Sequence, residues 1–155
     1  MIRAIAAIDD KRGIAAGGKI PWRIPEDTRY YKEKTEHSTV VMGWATYEEF
    51  AEPLPNRRNL VVSRTDQPIR PGFELVTDVD SYLQHATEDI WIIGGAGLFS
   101  TTLQYCEELY LTHVAGDFNC DRIFPVYEDA FTLAESSPEQ VSGPYHFRYN
   151  VYRRT

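Results

Sequence analysis

The sequence predicts an α/β domain: a central, mostly parallel sheet of eight strands, about four flanking helices and a C-terminal antiparallel hairpin. Three observations carry this expectation. Short apolar runs of strand length recur at 2–8, 39–43, 59–63, 73–77, 89–93, 107–115, 131–135 and 145–153. Helix-compatible segments lie between the earlier runs, at 26–35, 45–51, 79–85 and 97–105, and such alternation gives a parallel sheet covered on both faces. The last two runs have no helix between them, so they close as a hairpin at the sheet edge.

In chain order, the first strand stops at Asp9-Asp10 and opens a long loop, 9–24, that contains Gly13, Gly17, Gly18 and Pro21 and has no periodicity. Loops of this length in compact domains are commonly lids or binding loops, although a plain surface connection has the same composition. Within it, 13–23 is expected to be a mobile lid. Pro25 then opens the first helix, at a position where its missing N–H costs nothing, and puts Glu26 and Asp27 in the first turn. There they would stabilise the helix dipole. Asp27 also shares a helix face with Tyr31 and Thr35, so it could look into an apolar cleft beside Trp22 and serve there as an acid. Further on, Ile90-Trp91-Ile92-Ile93 passes directly into Gly94-Gly95-Ala96-Gly97 and then Leu98-Phe99. Such a strand, glycine and helix sequence reads either as a tight turn or as a phosphate-binding turn, in which free amides and a helix dipole meet an anion. It matches neither the dinucleotide fingerprint nor the P-loop.

The 155 residues fit one domain, 1–155, without repeats or linkers. A net charge of −7 argues against non-specific nucleic-acid binding. No apolar stretch is long enough to span a bilayer, and the first strand is too short for a signal peptide, so a cytoplasmic location is expected. Cys106 and Cys120 stand alone, with no metal-ligand spacing, so no metal is expected.

Nine dispersed motifs occur in register along the chain. They are Ile5-Ala6-Ala7; Ile14; Pro21-Trp22 with Pro25 and Asp27; Val41-Met42-Gly43 with Thr46; Pro53-Leu54-Pro55 with Arg57; Ser63-Arg64; Ile93-Gly94-Gly95; Tyr110-Leu111-Thr112-His113; and Asp121 with Phe124-Pro125. Over nearly its whole length the chain resembles dihydrofolate reductase. That resemblance implies reduction of 7,8-dihydrofolate to tetrahydrofolate by hydride transfer from NADPH, in a monomer open to antifolates. Asp27 would hold the pterin 2-amino group and N3 and supply the proton through water, supported by Thr112 through its hydroxyl and a bridging water. Trp22 would position water, and Tyr110 would lie near the nicotinamide and pterin. Without the resemblance, Trp22 reads as core and Thr112 as an ordinary strand residue.

The substrate walls would come from Ile5, Ile20, Tyr31, Phe50, Leu54 and Ile93, with Thr28 and Lys32 on the same helix. Thr28 departs from the usual apolar residue and makes the pocket more polar. Arg57 would take the α-carboxylate of the glutamate tail; otherwise Arg57-Arg58 is a solvated loop pair. For the cofactor, Ala6, Ala7 and Ile14 would hold the carboxamide, while Gly43, Thr46, Gly94, Gly95, Ala96, Gly97, Leu98 and Phe99 would surround the pyrophosphate. A cis bond is expected between Gly94 and Gly95. Ser63-Arg64 would meet the 2′-phosphate, where Trp44 and Ala45 replace the usual basic pair; Trp44 could cover adenine or simply pack. The alternatives are a related pteridine or riboflavin-pathway reductase, which gives Arg57 no task, and a non-catalytic nucleotide-binding module, which would not need Asp27, Trp22, Tyr110 and Thr112 together.

Overall fold

The computed structural model describes residues 1–155. Its elements are β1 (Ile2–Ile8), β2 (Gly13–Ala15), α1 (Pro25–Thr35), β3 (Thr39–Gly43), α2 (Trp44–Glu49), β4 (Arg58–Val62), β5 (Phe73–Val76), α3 (Val79–His85), β6 (Ile90–Ile92), α4 (Ala96–Thr102), β7 (Glu108–Val114), β8 (Arg122–Ile123), β9 (Phe131–Ser136), β10 (Gln140–Ser142) and β11 (Tyr145–Arg154). The main sheet runs β10-β11-β7-β1-β6-β3-β4-β5. β9 pairs with the C-terminal half of β11 and β10 with its N-terminal half. The two therefore share one edge row, and the sheet is eight strands wide. From β7 to β5 every pairing is parallel, and β11 runs against them.

The expected helices and strands are present, with shifted ends. The second helix begins at Trp44 and stops at Glu49, and the fourth begins at Ala96 and tightens into a 3-10 turn at Leu103–Tyr105. Three short strands were not expected. β2 lies inside the long loop and pairs with β8, and β10 extends the closing hairpin.

Strand alternation sorts the core onto two faces. Ile2, Ala4, Ile8, Val41, Leu60, Ile90, Ile92, Leu109 and Leu111 form one cluster with Leu83 of α3 and Leu98 and Phe99 of α4. On the opposite face, under α1 and α2, the packing divides. One cluster contains Ile5, Val40, Met42, Tyr47, Leu54, Val61, Phe73 and Trp91; the other contains Trp22, Ile24, Val114 and Phe147. The interval between them is the place where a polar group is brought to the sheet.

Candidate active site

Pro25 opens α1, Glu26 and Asp27 fill its first turn, and Lys32 and Lys34 its last, so charge follows the helix dipole in both directions. That start point aims Asp27 at β7. The Thr112 hydroxyl donates to Asp27 Oδ1 at 2.6 Å, and Asp27 forms no ion pair. Burial raises its pKa above the ordinary carboxylate value, and the Thr112 hydroxyl opposes the rise only in part. Thr112 and Ala7 face each other across β7 and β1. Ala7 belongs with the Trp22 cluster, and Ile5, on the same strand face, belongs with the other. The carboxylate thus stands in the gap between the two clusters.

The apolar wall is assembled largely as expected. Tyr31, Phe50, Ile93 and Tyr110 pack against the cluster that holds Ile5 and Leu54. Beyond it lies Arg57, whose Nε donates to Thr35 Oγ1 at 3.1 Å while its terminal nitrogens donate to the carbonyls of Pro55 and Lys32, each at 2.5 Å. It has no acidic partner. Arg58 is bound instead to Glu74 and Glu88. Adjacent arginines therefore differ in kind: one is neutralised, and the other is a positioned cation free to meet an anion.

At the C-terminal ends of β3 and β6, where open parallel sheets bind ligands, two turns touch. The Gly43 N–H donates to the Gly94 carbonyl at 2.8 Å, and the Gly94-Gly95 bond is cis, with Gly94 at φ +122°, a conformation open to glycine. A side chain at Gly97 would meet nothing, and one at Gly95 would meet only the Thr46 hydroxyl at 3.9 Å. The backbone here is open, and the first amides of α4 have no intrahelical acceptor. Arg64, at the end of β4, is exposed and unpaired. Free amides, bare glycine backbone and a free cation fit a phosphate-bearing dinucleotide.

The model of the family described as dihydrofolate reductase matches residues 1–154. The chain belongs to the dihydrofolate reductase family. It is 30% identical over 159 residues to the dihydrofolate reductase of Bacillus subtilis (strain 168), covering 99% of this chain and 95% of that protein. It is 40% identical over 129 residues to dihydrofolate reductase type 3 of Salmonella typhimurium, covering 82% and 80%. The structure matches dihydrofolate reductase from Enterococcus faecalis complexed with NADP(H) and RAB-propyl, with a TM-score of 0.90, 31% identity, and coverage of 100% of this chain and 96% of that one.

Several residues read from the family resemblance sit differently in this chain. The Thr112 hydroxyl bonds Asp27 directly. Ile20 is 64% exposed on the long loop; Thr28 and Lys32 are exposed on α1. Trp22 is buried edge-on against Phe118, centroids 5.2 Å apart, yet its indole N–H meets no protein acceptor and is not sealed from solvent. Tyr110 rests edge-on against Trp91 at 4.9 Å. Lys34 of α1 lies over its ring at 5.7 Å; its phenol also feels Glu108, Arg3, Glu135 and Arg153, of which Glu108 and Arg3 stand near the starts of β7 and β1, the far end from the glycine turn. The ring against that turn is Phe99. Leu98 and Phe99 are themselves buried core, because the helical period turns them inward. The Ser63 hydroxyl is held by Gln67 and Thr65. Ala6 and Ile14 pack on the α3/α4 face. Trp44 is half-buried, tilted on Tyr47 at 4.8 Å, and Ala45 is exposed.

Sequence reasoning missed the tether of the long loop. Asp9, 2% exposed, accepts from the amides of Lys11, Gly13 and Phe118, and Asp121 accepts from the Gly17 amide at 3.2 Å. Asp9-Asp10 signals a strand end; nothing local shows that its partner is more than a hundred residues away.

Proposed function

We propose that the chain reduces 7,8-dihydrofolate to 5,6,7,8-tetrahydrofolate with NADPH. The observation that carries this reading is the half-buried Asp27 carboxylate, without a cation and held by Thr112 at 2.6 Å, in the break between two apolar clusters. Burying a carboxylate without a cation is costly, and a pterin edge that offers a 2-amino group and an N3 hydrogen compensates it. Thr112 engages Oδ1 and leaves Oδ2 and the remaining lone pairs for those donors. The raised pKa suits a group that relays a proton to the pterin through water, and the outward-facing Trp22 N–H is placed to hold such a water. Ile5, Tyr31, Phe50, Leu54 and Ile93 take the ring and aminobenzoyl surfaces, and Arg57 takes the α-carboxylate of the tail.

NADPH supplies the hydride when bound. The open backbone at 94–97, Gly43 and Thr46 fit its pyrophosphate, the backbone carbonyls and amides of Ala7 and Ile14 would hold the carboxamide, and Arg64 would be the cation for the 2′-phosphate. Tyr110 supports the floor through Trp91. The protein is further proposed to act as a monomer in the cytoplasm, without nucleic acid, in keeping with its net charge of −7; light scattering tests the first of these. The activity is tested by mixing purified protein, dihydrofolate and NADPH and identifying tetrahydrofolate by mass. Absence of that product with folded protein refutes the reading.

A further inference from the structure

Two residues that the reaction does not otherwise use stand close enough to Asp27 for its charge to act on their phenols. Tyr30 of α1 stacks on Tyr149 of β11, with ring centroids 4.0 Å apart and planes 24° apart. Tyr30 follows Asp27 by three residues, one turn along the same helix face. Tyr149 stands opposite Thr112 across the β7–β11 pair, and Thr112 donates to Asp27. Asp27, Thr112, Tyr149 and Tyr30 thus form a closed ring that joins a helix to two strands.

Resting on the reductase reading, we propose that the Tyr30–Tyr149 stack is the wall that keeps bulk water from Asp27 on the side of β11, which makes both tyrosines positioning residues for the pterin-side carboxyl. Each ring offers a large flat apolar surface, and an offset stack covers more of a neighbour than either ring alone. Neither phenol donates to Asp27, whose only side-chain hydrogen bond is from Thr112, so covering is the property the pair contributes. The groups facing the carboxylate are neutral: Thr112 from β7, Tyr149 from β11 and Tyr30 from α1. The phenols themselves feel Asp27 first among the charges, then Glu135 of β9 at Tyr30, where Tyr110 of β7 also faces it, and Glu26, Arg29 and Glu33 of α1 at Tyr149. Lys34 lies over the Tyr30 ring at 5.5 Å.

The test is a carbon-13 NMR titration of the Asp27 side-chain carboxyl in ligand-free protein, for wild type and for Tyr30→Ala, Tyr149→Ala, Tyr30→Phe and Tyr149→Phe, alongside the pH profile of kcat/KM. Both alanine variants should lower the Asp27 midpoint toward the ordinary carboxylate range, because water reaches the group. Both phenylalanine variants should titrate as wild type does and keep its pH profile. Alanine variants that titrate like wild type, or phenylalanine variants that shift as far as alanine, overturn the proposal. Should Tyr149→Ala not fold, Tyr30→Ala decides alone, at a half-exposed helix position where truncation leaves the sheet intact. If the titrations come out as expected while wild type fails to reduce dihydrofolate, the wall stands and the reductase reading falls.

Discussion

Replacing Arg57 by alanine should separate substrate binding from everything else the protein does. Its guanidinium has no carboxylate partner and is held by Thr35, Pro55 and Lys32, so the charge is available to a ligand anion. Loss of a bidentate pair with a carboxylate is worth about 1.5–3 kcal/mol, which converts to roughly a 10–150-fold rise in KM for dihydrofolate at unchanged KM for NADPH. Arg58→Ala is the matched control. It removes ion pairs with Glu74 and Glu88 whose side chains are 35–51% exposed, and such pairs are worth about 0–1 kcal/mol; KM should not move, and only a small loss of thermal stability should follow. A third variant probes the support. The Thr35 hydroxyl, on a residue with 0% exposure, accepts from Arg57 Nε, so Thr35→Val should raise KM for dihydrofolate by a smaller factor than Arg57→Ala, through loss of orientation alone. Steady-state rates followed by NADPH absorbance, with each substrate varied in turn, provide the readout. Equal KM effects from Arg57→Ala and Arg58→Ala would refute the tail assignment.

Asp9→Asn should loosen the tether of the long loop: an amide cannot accept from Lys11, Gly13 and Phe118 at once, so about 1.5–3 kcal/mol is lost, or roughly 3–12 °C in melting temperature. Burial alone would raise the Asp9 pKa, but its three backbone amides outweigh burial and hold it below the ordinary value. The stability difference between wild type and variant is therefore fully present above the ordinary carboxylate pKa and disappears as pH falls through the folded-state value. Hydrogen exchange should rise at both 11–17 and 116–121; a change confined to one segment contradicts the tether. Arg64→Ala should nearly erase a preference for NADPH over NADH that we expect to be about 10–100-fold in kcat/KM, because Trp44 and Ala45 offer no second cation; an unchanged preference would place the 2′-phosphate elsewhere.

The sheet was legible because its buried strands are near-continuous apolar runs, as in Val40-Val41-Met42, all 0% exposed. β2, β8 and β10 were not, since strands of two or three residues are too short to show a period, and β2 and β8 are joined across a hundred positions. For the site, the support of Asp27 by Thr112 was implied by the family resemblance; on its own Thr112 reads as an ordinary strand residue. Leu98 and Phe99 follow the glycine turn in sequence, and the helix rotates their side chains into the core, so they back the turn from within. Ile20 shows the reverse, an apolar residue left 64% exposed on the loop. The Tyr30–Tyr149 stack was invisible in the sequence, because only the antiparallel register of β11 brings Tyr149 beside Thr112.

The role of Asp27 is the central claim, and the pH dependence of dihydrofolate reduction by wild type and Asp27→Asn tests it most directly, with melting temperature recorded on the same samples. Burial raises the Asp27 pKa, so the stability tied to its neutral form is present below the ordinary carboxylate value and lost as pH rises through the folded-state value. The variant should therefore melt higher than wild type at neutral pH, and this gain should vanish in acid. Its hydride-transfer rate should be strongly reduced at pH 7, and the deficit should narrow as pH falls toward about 5, where the substrate brings its own proton. A variant that turns over at near wild-type rate at pH 7, or that melts lower there with an unchanged rate, would remove Asp27 from the mechanism.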